Sequence, residues 1–563
     1  MTKKRLNILL VNPSCLDLRI SGEDARIVPM GLFYIGAQLM EKGFNTEILN
    51  LAEAGEDPVG AFKKTLETRK PDVIGFSVIN PNRWNAVDCA RAARKIHPEA
   101  VIVFGGPAPT FLFGHLFSIC PEIDYIVKGE GEITFLKLLE ALEAGEPVED
   151  IQGLVMKRDG RIIETPPRPP LENLDTLVHP STYFTFQHLA MSRGCPGACT
   201  FCGSPEFWGN RKVRAHSPEW LAHEMEALAK KGVTHFYMSD DTFTMDKPRV
   251  MEFCRLIAQK ALSITWAAIS RVDCVDEDIL GAMRKAGCIQ ISYGVESGSE
   301  KIRKALGKPL DREKIISAFA LTKALGILPR AYFIYGSPGE TRDTIKESMD
   351  LIHTIRPLGA VFYMLVIFPG TFLYRSAKQK GLISDDFWHQ RVEDLPWFEI
   401  DKNLDFKTVK AFGDSLRAAF YNNLDQFARH LDLVDKKEFY PFHADFLSRL
   451  GMTFSHGEYA ADPRVKNQEK TAGLLFEQAI SLAPDARAFL GLALQKQKTR
   501  NFNGAMAVLE QGIAHFPKHK DLNLCMGICL MNQGRFKAAL EFFKPLQAFP
   551  ETRHYIDICQ KNS

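Results

Sequence analysis

Short apolar runs alternate with amphipathic stretches over the first 150 residues. Residues 7–11 (NILLV), 73–78 (VIGFSV) and 101–104 (VIVF) are unbroken apolar runs of the kind buried parallel strands show, and 46–49 and 124–127 read as shorter strands. Helical periodicity fills 31–42, 59–69, 86–96 and 134–144 between and after them. Repeated β-α units of this length predict an α/β fold, here a doubly wound, Rossmann-like sheet over residues 1–150 with its ligand at the carboxyl ends of the strands.

A polar hairpin (LVMKRDGRII) and then PPRPP at 166–170 occupy an expected linker over 151–186, since four prolines in five residues make a stiff, extended spacer. A second β-α series follows over 187–398. Its strands are expected at 187–192, 233–238, 264–269, 289–294, 331–335 and 361–368, with helices at about 217–231, 247–261, 276–286, 311–325 and 341–355. Six strands at this spacing predict a partial (β/α)6 barrel whose working face is the loops at the strand C-termini; the pattern does not distinguish an open sheet from a closed one. Residues 399–465 read as a helical, aromatic-rich extension. Over 466–563, Pro484, Pro517 and Pro550 recur every 33 residues, each after an apolar helix, and Asn501-Phe502 and Arg535-Phe536 recur at 34. That is the tetratricopeptide period, which predicts all-α helix pairs stacked into a solenoid with a concave binding surface.

Composition narrows the class. With 70 basic and 68 acidic side chains the net charge is +2, so no bulk field draws the chain to nucleic acid or an anionic membrane. Apolar residues at 45% and charged ones at 25% suit a soluble globular protein. The start, MTKKRLNILLVNPS, is too short in apolar residues for a secretory signal, and no apolar run approaches a membrane span. Twelve cysteines in 563 residues are too sparse for a disulfide scaffold, so reduced thiols in a cytoplasm are expected.

The sharpest chemical signal is Cys195-Pro-Gly-Ala-Cys199-Thr-Phe-Cys202, directly after the first strand of the second series. Three thiolates within eight residues can converge on a soft metal centre, either zinc or an iron–sulfur cluster. A structural zinc site wants a fourth ligand nearby, and the next candidates, His216 and Cys254, lie well beyond the loop. The remaining cysteines show no ligand-like grouping; Cys525 and Cys529 share a helix face as small buried hydrophobes.

The C-x3-C-x2-C spacing, with Phe201 before the last cysteine, resembles the radical S-adenosylmethionine superfamily. The resemblance extends to Ser239-Asp240-Asp241 at the end of the second strand, Ser270-Arg271 at the third, Gly294-Val295-Glu296-Ser297-Gly298 at the fourth and Gly336-Ser337-Pro338-Gly339-Glu340 at the fifth. It implies a [4Fe–4S] cluster held by Cys195, Cys199 and Cys202. It further implies S-adenosylmethionine contacts from Phe201, Ser239, Asp240, Asp241, Arg271, Glu296, Gly336 and Pro338. The implied chemistry is reductive cleavage to methionine and a 5′-deoxyadenosyl radical, with an electron from a reductant such as flavodoxin or ferredoxin; the protein orients the reactants and excludes water.

In the first domain, Ser77-Val78-Ile79 ends one strand and Gly105-Gly106 the next, 28 residues on, leaving room for the tail of a large planar ligand. A dinucleotide site would want G-x-G-x-x-G after the first strand, where this chain has NPSCLDLR, and the acidic cluster of a response regulator is also missing. The pattern resembles S-x-L…GG cobalamin-binding domains, including Thr110 in GGPAPT and the turn Gly129-Glu130-Gly131-Glu132. That resemblance implies cobalamin contacts from Ser77, Val78, Asn80, Gly105, Gly106, Thr110, Glu130 and Gly131. It departs from those domains in lacking D-x-H-x-x-G, for no histidine precedes His97. His97 and His115 read as surface or helix-end residues, and Asn80–Trp84 as the loop near the lower face of cobalt.

Together these resemblances imply a cobalamin-dependent radical enzyme that methylates an unactivated carbon or phosphorus centre of a small molecule. A non-methylating cyclase or rearrangement enzyme of the same subclass is the alternative. A vestigial first domain and a scaffold defined by its repeat tail, which would dock a peptide or protein, remain as further readings. A methylthiotransferase would want additional N-terminal cysteines and a C-terminal β-domain. Tyr332 and Tyr363 are candidates for the substrate cavity.

Overall fold

The computed structural model describes residues 5–15, 28–392 and 396–562. The NPSCLDLR loop that argues against a dinucleotide site leaves the described residues after Cys15. Seven strands form the first sheet: β1 (Asn7–Asn12), β2 (Asn45–Asn50), β3 (Val73–Ser77), β4 (Val101–Gly105), β5 (Tyr125–Val127), β6 (Leu154–Arg158) and β7 (Arg161–Glu164). Their order is β2-β1-β3-β4-β5-β6-β7, parallel through β5 and antiparallel beyond it. The direction of winding reverses between β1 and β3, the place where an open α/β sheet leaves a crevice. Helices α1 (Met30–Glu41) and α5 (Gly131–Ala144) cover one face; α2 (Pro58–Arg69), α3 (Arg83–Ile96) and α4 (Pro107–Ile119) cover the other.

Two features differ from the sequence reading. The hairpin placed in the linker is β6 and β7 of this sheet: Leu154, Val155 and Met156 are buried and shield the open edge of β5, while β7 is exposed. The segment PAPTFLFGHLFSI, which shows no clean helical periodicity, is α4, begun by Pro107 at a position where the missing N–H costs nothing.

The chain from 171 to 186 is pinned to the second domain by buried carboxylates. Glu224 is fully buried and accepts hydrogen bonds from Ser181 N at 3.2 Å and Ser181 Oγ at 2.6 Å, with His179 Nδ1 at 2.9 Å. The second domain then adds β8 (His188–Leu189), β9 (Ser192–Arg193), β10 (Arg214–Ala215), β11 (His235–Met238), β12 (Thr265–Ser270), β13 (Cys288–Glu296), β14 (Leu328–Tyr335) and β15 (Gly359–Met364). Six of these make one parallel sheet, β15-β14-β13-β12-β11-β8, and β9 and β10 pair separately. The two end strands are not joined, so the barrel is open. Its helices start at side-chain caps where the sequence offers Ser, Asp or Thr. Ser217 caps Trp220, Asp276 caps Ile279, and Thr341 forms a capping box with Thr344.

Helices Phe406–Tyr421 and Tyr440–Ser455 lie against this domain. Arg284 bonds Asp445 at 2.9 Å and the Phe442 carbonyl at 2.6 Å, locking the second helix to the barrel. Six further helices follow: Gln468–Leu482, Ala486–Lys498, Phe502–His515, Lys520–Asn532, Phe536–Phe543 and Pro550–Asn562. One apolar core runs without a break from Phe186 in the barrel to Phe476 and Ala488 in the first two of these, and a separate core holds the remaining repeats. Among the described residues no helix is long and apolar enough to cross a membrane.

Phe476 is fully buried, and its ring lies where side chains of Gly451 and Gly491 would begin. Gly491→Val is therefore expected to destabilise the junction of repeats and barrel by about 1–3 kcal/mol through overpacking, read as a lower thermal midpoint and earlier proteolysis within 440–500.

Candidate functional site

The cysteine loop leaves β9 and is tied down by backbone. Thr200 N donates to the Leu306 carbonyl at 2.9 Å, and Leu373 N donates to the Thr200 carbonyl at 2.9 Å. Gly307 adopts φ +70° and packs on the Ala198 carbonyl so closely that no side chain would fit. Within the loop, the sulfurs of Cys195 and Cys199 lie 3.3 and 3.7 Å from where a Gly197 side chain would start. All three cysteines are half-buried and unpaired. Burial pushes the Cys202 thiol up to about 11 and the Cys199 thiol upward, so a metal must displace their protons. Among the described residues no three His, Cys, Asp or Glu side chains converge as a single metal ion would require. Three thiols and no fourth ligand fit a polynuclear iron–sulfur group better than zinc.

The strand-end residues have divided roles. Ser239 sits beside His188 Nδ1 at 3.0 Å, and burial lowers that imidazole to about 4, keeping it neutral. Asp240 is turned inward, where it accepts from Met191 N, Ser192 N and Ser192 Oγ at 3.1, 2.6 and 2.6 Å; burial raises its carboxyl to about 6. It fastens the end of β11 to the start of β9. Asp241 is exposed, and its Oδ2 accepts from Ser204 Oγ at 2.7 Å and Trp208 Nε1 at 3.2 Å. Arg271 forks onto Asp273 at 2.9 and 2.8 Å, and its Nη1 lies 3.8 Å from the same Gly197 position that the two sulfurs flank. Glu296, at φ +66° and buried, pairs with Lys308 at 2.6 Å. Gly294 leaves the space that this ion pair fills.

Gly336 packs under Val409 rather than facing an opening, and Pro338 is half-buried. Glu340 folds the same loop by accepting from Gly336 N at 2.6 Å and Ser337 N at 3.3 Å; its Oε1 and Ser337 Oγ are buried without a partner. Phe201 packs at the edge of the cluster formed by Leu112, Ile334, Leu365 and Trp388. Tyr332 and Tyr363 meet edge to face at 5.8 Å, with Tyr363 exposed.

A cavity of about 290 Å3 lies between the carboxyl ends of the first sheet and the start of the second domain. Ser77, Gly105, Gly106, Glu130 and Gly131 line it from one side; Ser192, Arg193, Trp208, Ser239 and Asp241 line it from the other. Val78, Asn80 and Thr110 are not among its walls. Val78 is fully buried and its carbonyl lies 2.8 Å from where a Gly106 side chain would start; Gly106, at φ +101°, has no room for one. Thr110 Oγ1 donates to the Gly106 carbonyl at 2.8 Å and accepts from Gly129 N at 3.0 Å, bracing the two glycine turns together. Asn80 Oδ1 is buried without a partner. The cavity is smaller than a whole corrinoid, and its walls at Ser77 and Gly105 leave room for no more than part of such a ligand.

Four charged residues join the two domains at this cavity. Glu130 accepts from Arg193 Nη1 at 2.8 Å, Arg214 Nη1 at 2.8 Å and Leu171 N at 2.9 Å, and Glu132 accepts from Arg193 Nη2 at 2.6 Å. Burial alone would raise the Glu130 carboxyl; the charge and hydrogen bonds of Arg193 outweigh it and hold the group below its ordinary value. Arg193 also lies over the rings of Tyr34 and Trp208, 5.2 and 5.8 Å from their centroids. The sequence reading missed Arg193, Arg214, Lys308 and Trp208. Arg193 stands two residues before Cys195, but nothing in SRGC announces partners 61 and 63 residues away.

Comparison with known proteins matches three segments. The Radical SAM superfamily covers residues 189–352, the B12 binding domain 24–139 and the tetratricopeptide repeat 496–549. An uncharacterized methyltransferase of Pyrococcus horikoshii is 32% identical over 401 residues, spanning 69% of this chain and 86% of that protein. The anaerobic magnesium-protoporphyrin IX monomethyl ester cyclase of Rubrivivax gelatinosus is 28% identical over 376 residues, 63% of this chain and 67% of the other. In fold, the chain resembles the radical S-adenosylmethionine methyltransferase TsrM of Kitasatospora setae, solved with cobalamin and a [4Fe-4S] cluster bound. The TM-score is 0.61 at 17% identity, with 85% of this chain and all of that one covered.

Arg193→Met leaves two buried carboxylates short of their shared cation and is expected to cost about 3–5 kcal/mol, read by denaturant unfolding. Glu340 gives a pH signature. Burial raises its carboxyl from 4.5 to about 7, so the folded state binds the extra proton and stability falls as pH rises between those values. Glu340→Gln is expected to flatten the thermal midpoint against pH over that window relative to the unmodified protein.

Proposed function

The chain belongs to the cobalamin-binding radical S-adenosylmethionine enzymes, and on that premise we propose that it transfers a methyl group to an unreactive carbon or phosphorus centre of a small molecule. The observation that carries this reading is the single cavity whose walls come from both domains. Ser239 and Asp241, beside the cysteine loop, face the same space as Ser77 and Gly105. Two cofactor regions that share a wall suit a reaction in which a radical made at one is quenched with a group held at the other. The 32% identical relative described as a methyltransferase favours the same reading.

When bound, the cluster, S-adenosylmethionine and cobalamin supply a hydrogen-abstracting 5′-deoxyadenosyl group and a transferable methyl. The chain's own residues hold and orient. Cys195, Cys199 and Cys202 would bind the cluster as thiolates, with Lys308 and Arg271 easing the Cys199 ionisation that burial opposes. Asp241 and Ser239 would receive the methionine amine of S-adenosylmethionine, and the Glu296–Lys308 pair and Arg271 would set the charge around its polar groups. Ser77 and Gly105 would admit the cobalamin tail. Asp240, Thr110, Val78 and Glu340 act one step back, fixing the loops that carry these groups. A one-electron donor of the flavodoxin or ferredoxin class would serve the cluster, and a reducing cytoplasm would preserve it. The tetratricopeptide repeats offer a surface for a protein or peptide partner.

The cyclase relative favours a second reading, in which the same cofactors serve ring formation without methyl transfer. Methyl-labelled S-adenosylmethionine separates the two. Methylation consumes two molecules per product and releases both S-adenosylhomocysteine and 5′-deoxyadenosine; 5′-deoxyadenosine with no labelled product would exclude it. Cobalamin binding has its own test. A side chain at Gly105 would meet nothing nearer than 3.6 Å, the Val127 carbonyl, yet would project into the cavity. Gly105→Leu is expected to keep cluster iron at wild-type content while weakening hydroxocobalamin binding, followed by absorbance, by more than about tenfold. Unchanged corrinoid affinity would place the ligand elsewhere.

A further inference from the structure

We propose that Trp208 couples the corrinoid cavity to the S-adenosylmethionine site, so that filling either one changes the affinity of the other. The inference rests on the cofactor reading above and adds a positioning residue that neither the sequence motifs nor the domain matches point to.

Trp208 follows the cysteine triplet, one residue beyond the short helix Ser204–Phe207. Its ring is a wall of the cavity. The guanidinium groups of Arg193 and Arg214 lie 5.8 and 5.7 Å from its centroid, and Phe207 packs edge-on at 5.0 Å. A planar macrocycle at the cavity mouth therefore meets an aromatic face whose position is held by two cations of the domain clasp.

The indole N–H reaches Asp241, which lines the same cavity beside Ser239. Nε1–H donates to Asp241 Oδ2 at 3.2 Å, and Ser204 Oγ donates to the same oxygen at 2.7 Å. Both donors use Oδ2, which leaves Oδ1 uncommitted by either and available to an ammonium group. Ser204 N in turn donates to Cys202 Sγ at 3.4 Å. A displacement of the ring by a ligand in the cavity thus turns the carboxylate that faces the methionine amine, and the Cys202 loop moves with it. Because the indole is the shared element, occupancy at each end biases the same side chain, and the coupling must be reciprocal.

The test uses cluster-reconstituted, oxidised protein, which binds S-adenosylmethionine without cleaving it. Hydroxocobalamin affinity is measured by absorbance with and without saturating S-adenosylmethionine, and S-adenosylmethionine affinity by equilibrium dialysis with and without hydroxocobalamin. In the wild type each ligand is expected to change the other's affinity by one common factor, about fivefold or more. In Trp208→Phe, which keeps a ring but has no N–H, both ligands still bind and the factor falls towards one. A wild-type factor of one overturns the proposal whatever the variant does. So does a variant that weakens both ligands while keeping the wild-type factor, since that is a merely structural role. Hydroxocobalamin failing to bind the wild type would instead remove the cofactor reading, and the inference with it. Circular dichroism and iron content establish that Trp208→Phe is folded and loaded.

Discussion

Arg193 is the point on which the molecule turns. Its side chain is almost wholly enclosed, and a guanidinium in such a place must have its fork satisfied by acceptors. Glu130 and Glu132 do so, and they sit on the turn that opens α5 in the first domain. Their partner stands two residues before the first cysteine of the triplet. The position of the cysteine loop and the mouth of the first-domain crevice are therefore one electrostatic arrangement. Removing both carboxylates would strand a buried cation, and the two domains cannot part without exposing it to water.

Around that clasp, several polar residues that look like ligand contacts serve as scaffold. Asp240 and Thr110 spend their hydrogen-bonding capacity within the protein, while Glu340 gives one carboxylate oxygen to backbone and keeps the other buried without a partner. Asp240, whose two oxygens accept three such bonds while buried, has little left for a ligand, and the raised carboxyls of Asp240 and Glu340 reflect how fully they are enclosed. Their neighbour Asp241 is exposed, and only its Oδ2 accepts from side chains of the protein.

The C-terminal helices share the barrel's physics rather than hanging from it. A continuous apolar core from Phe186 to Ala488 means that the helical extension and the first repeat fold against the catalytic domain. The later repeats bury their apolar faces in a core of their own.

Most of the strands and helices, and the cysteine triplet, were legible because their signals are local; α4 was not, since PAPTFLFGHLFSI shows no clean helical periodicity. Alternation of β and α segments follows from side-chain periodicity, and C-x3-C-x2-C packs three ligands into eight residues. The repeat period was equally plain, since each helix pair repeats the same requirement to bury one face. The hairpin β6–β7 was visible as a hairpin but not as part of the sheet, because an edge strand is defined by the neighbour it covers. Arg193 with Glu130, Lys308 beside Cys199, and Trp208 on Asp241 carry no such pattern. Periodicity and spacing report what a segment does by itself; which polar groups satisfy one another and which stay open for a ligand depends on the neighbours that folding supplies. The sequence determined the fold class and the three-cysteine loop, because those signals are local; which carboxylates are engaged inside the protein was decided by packing.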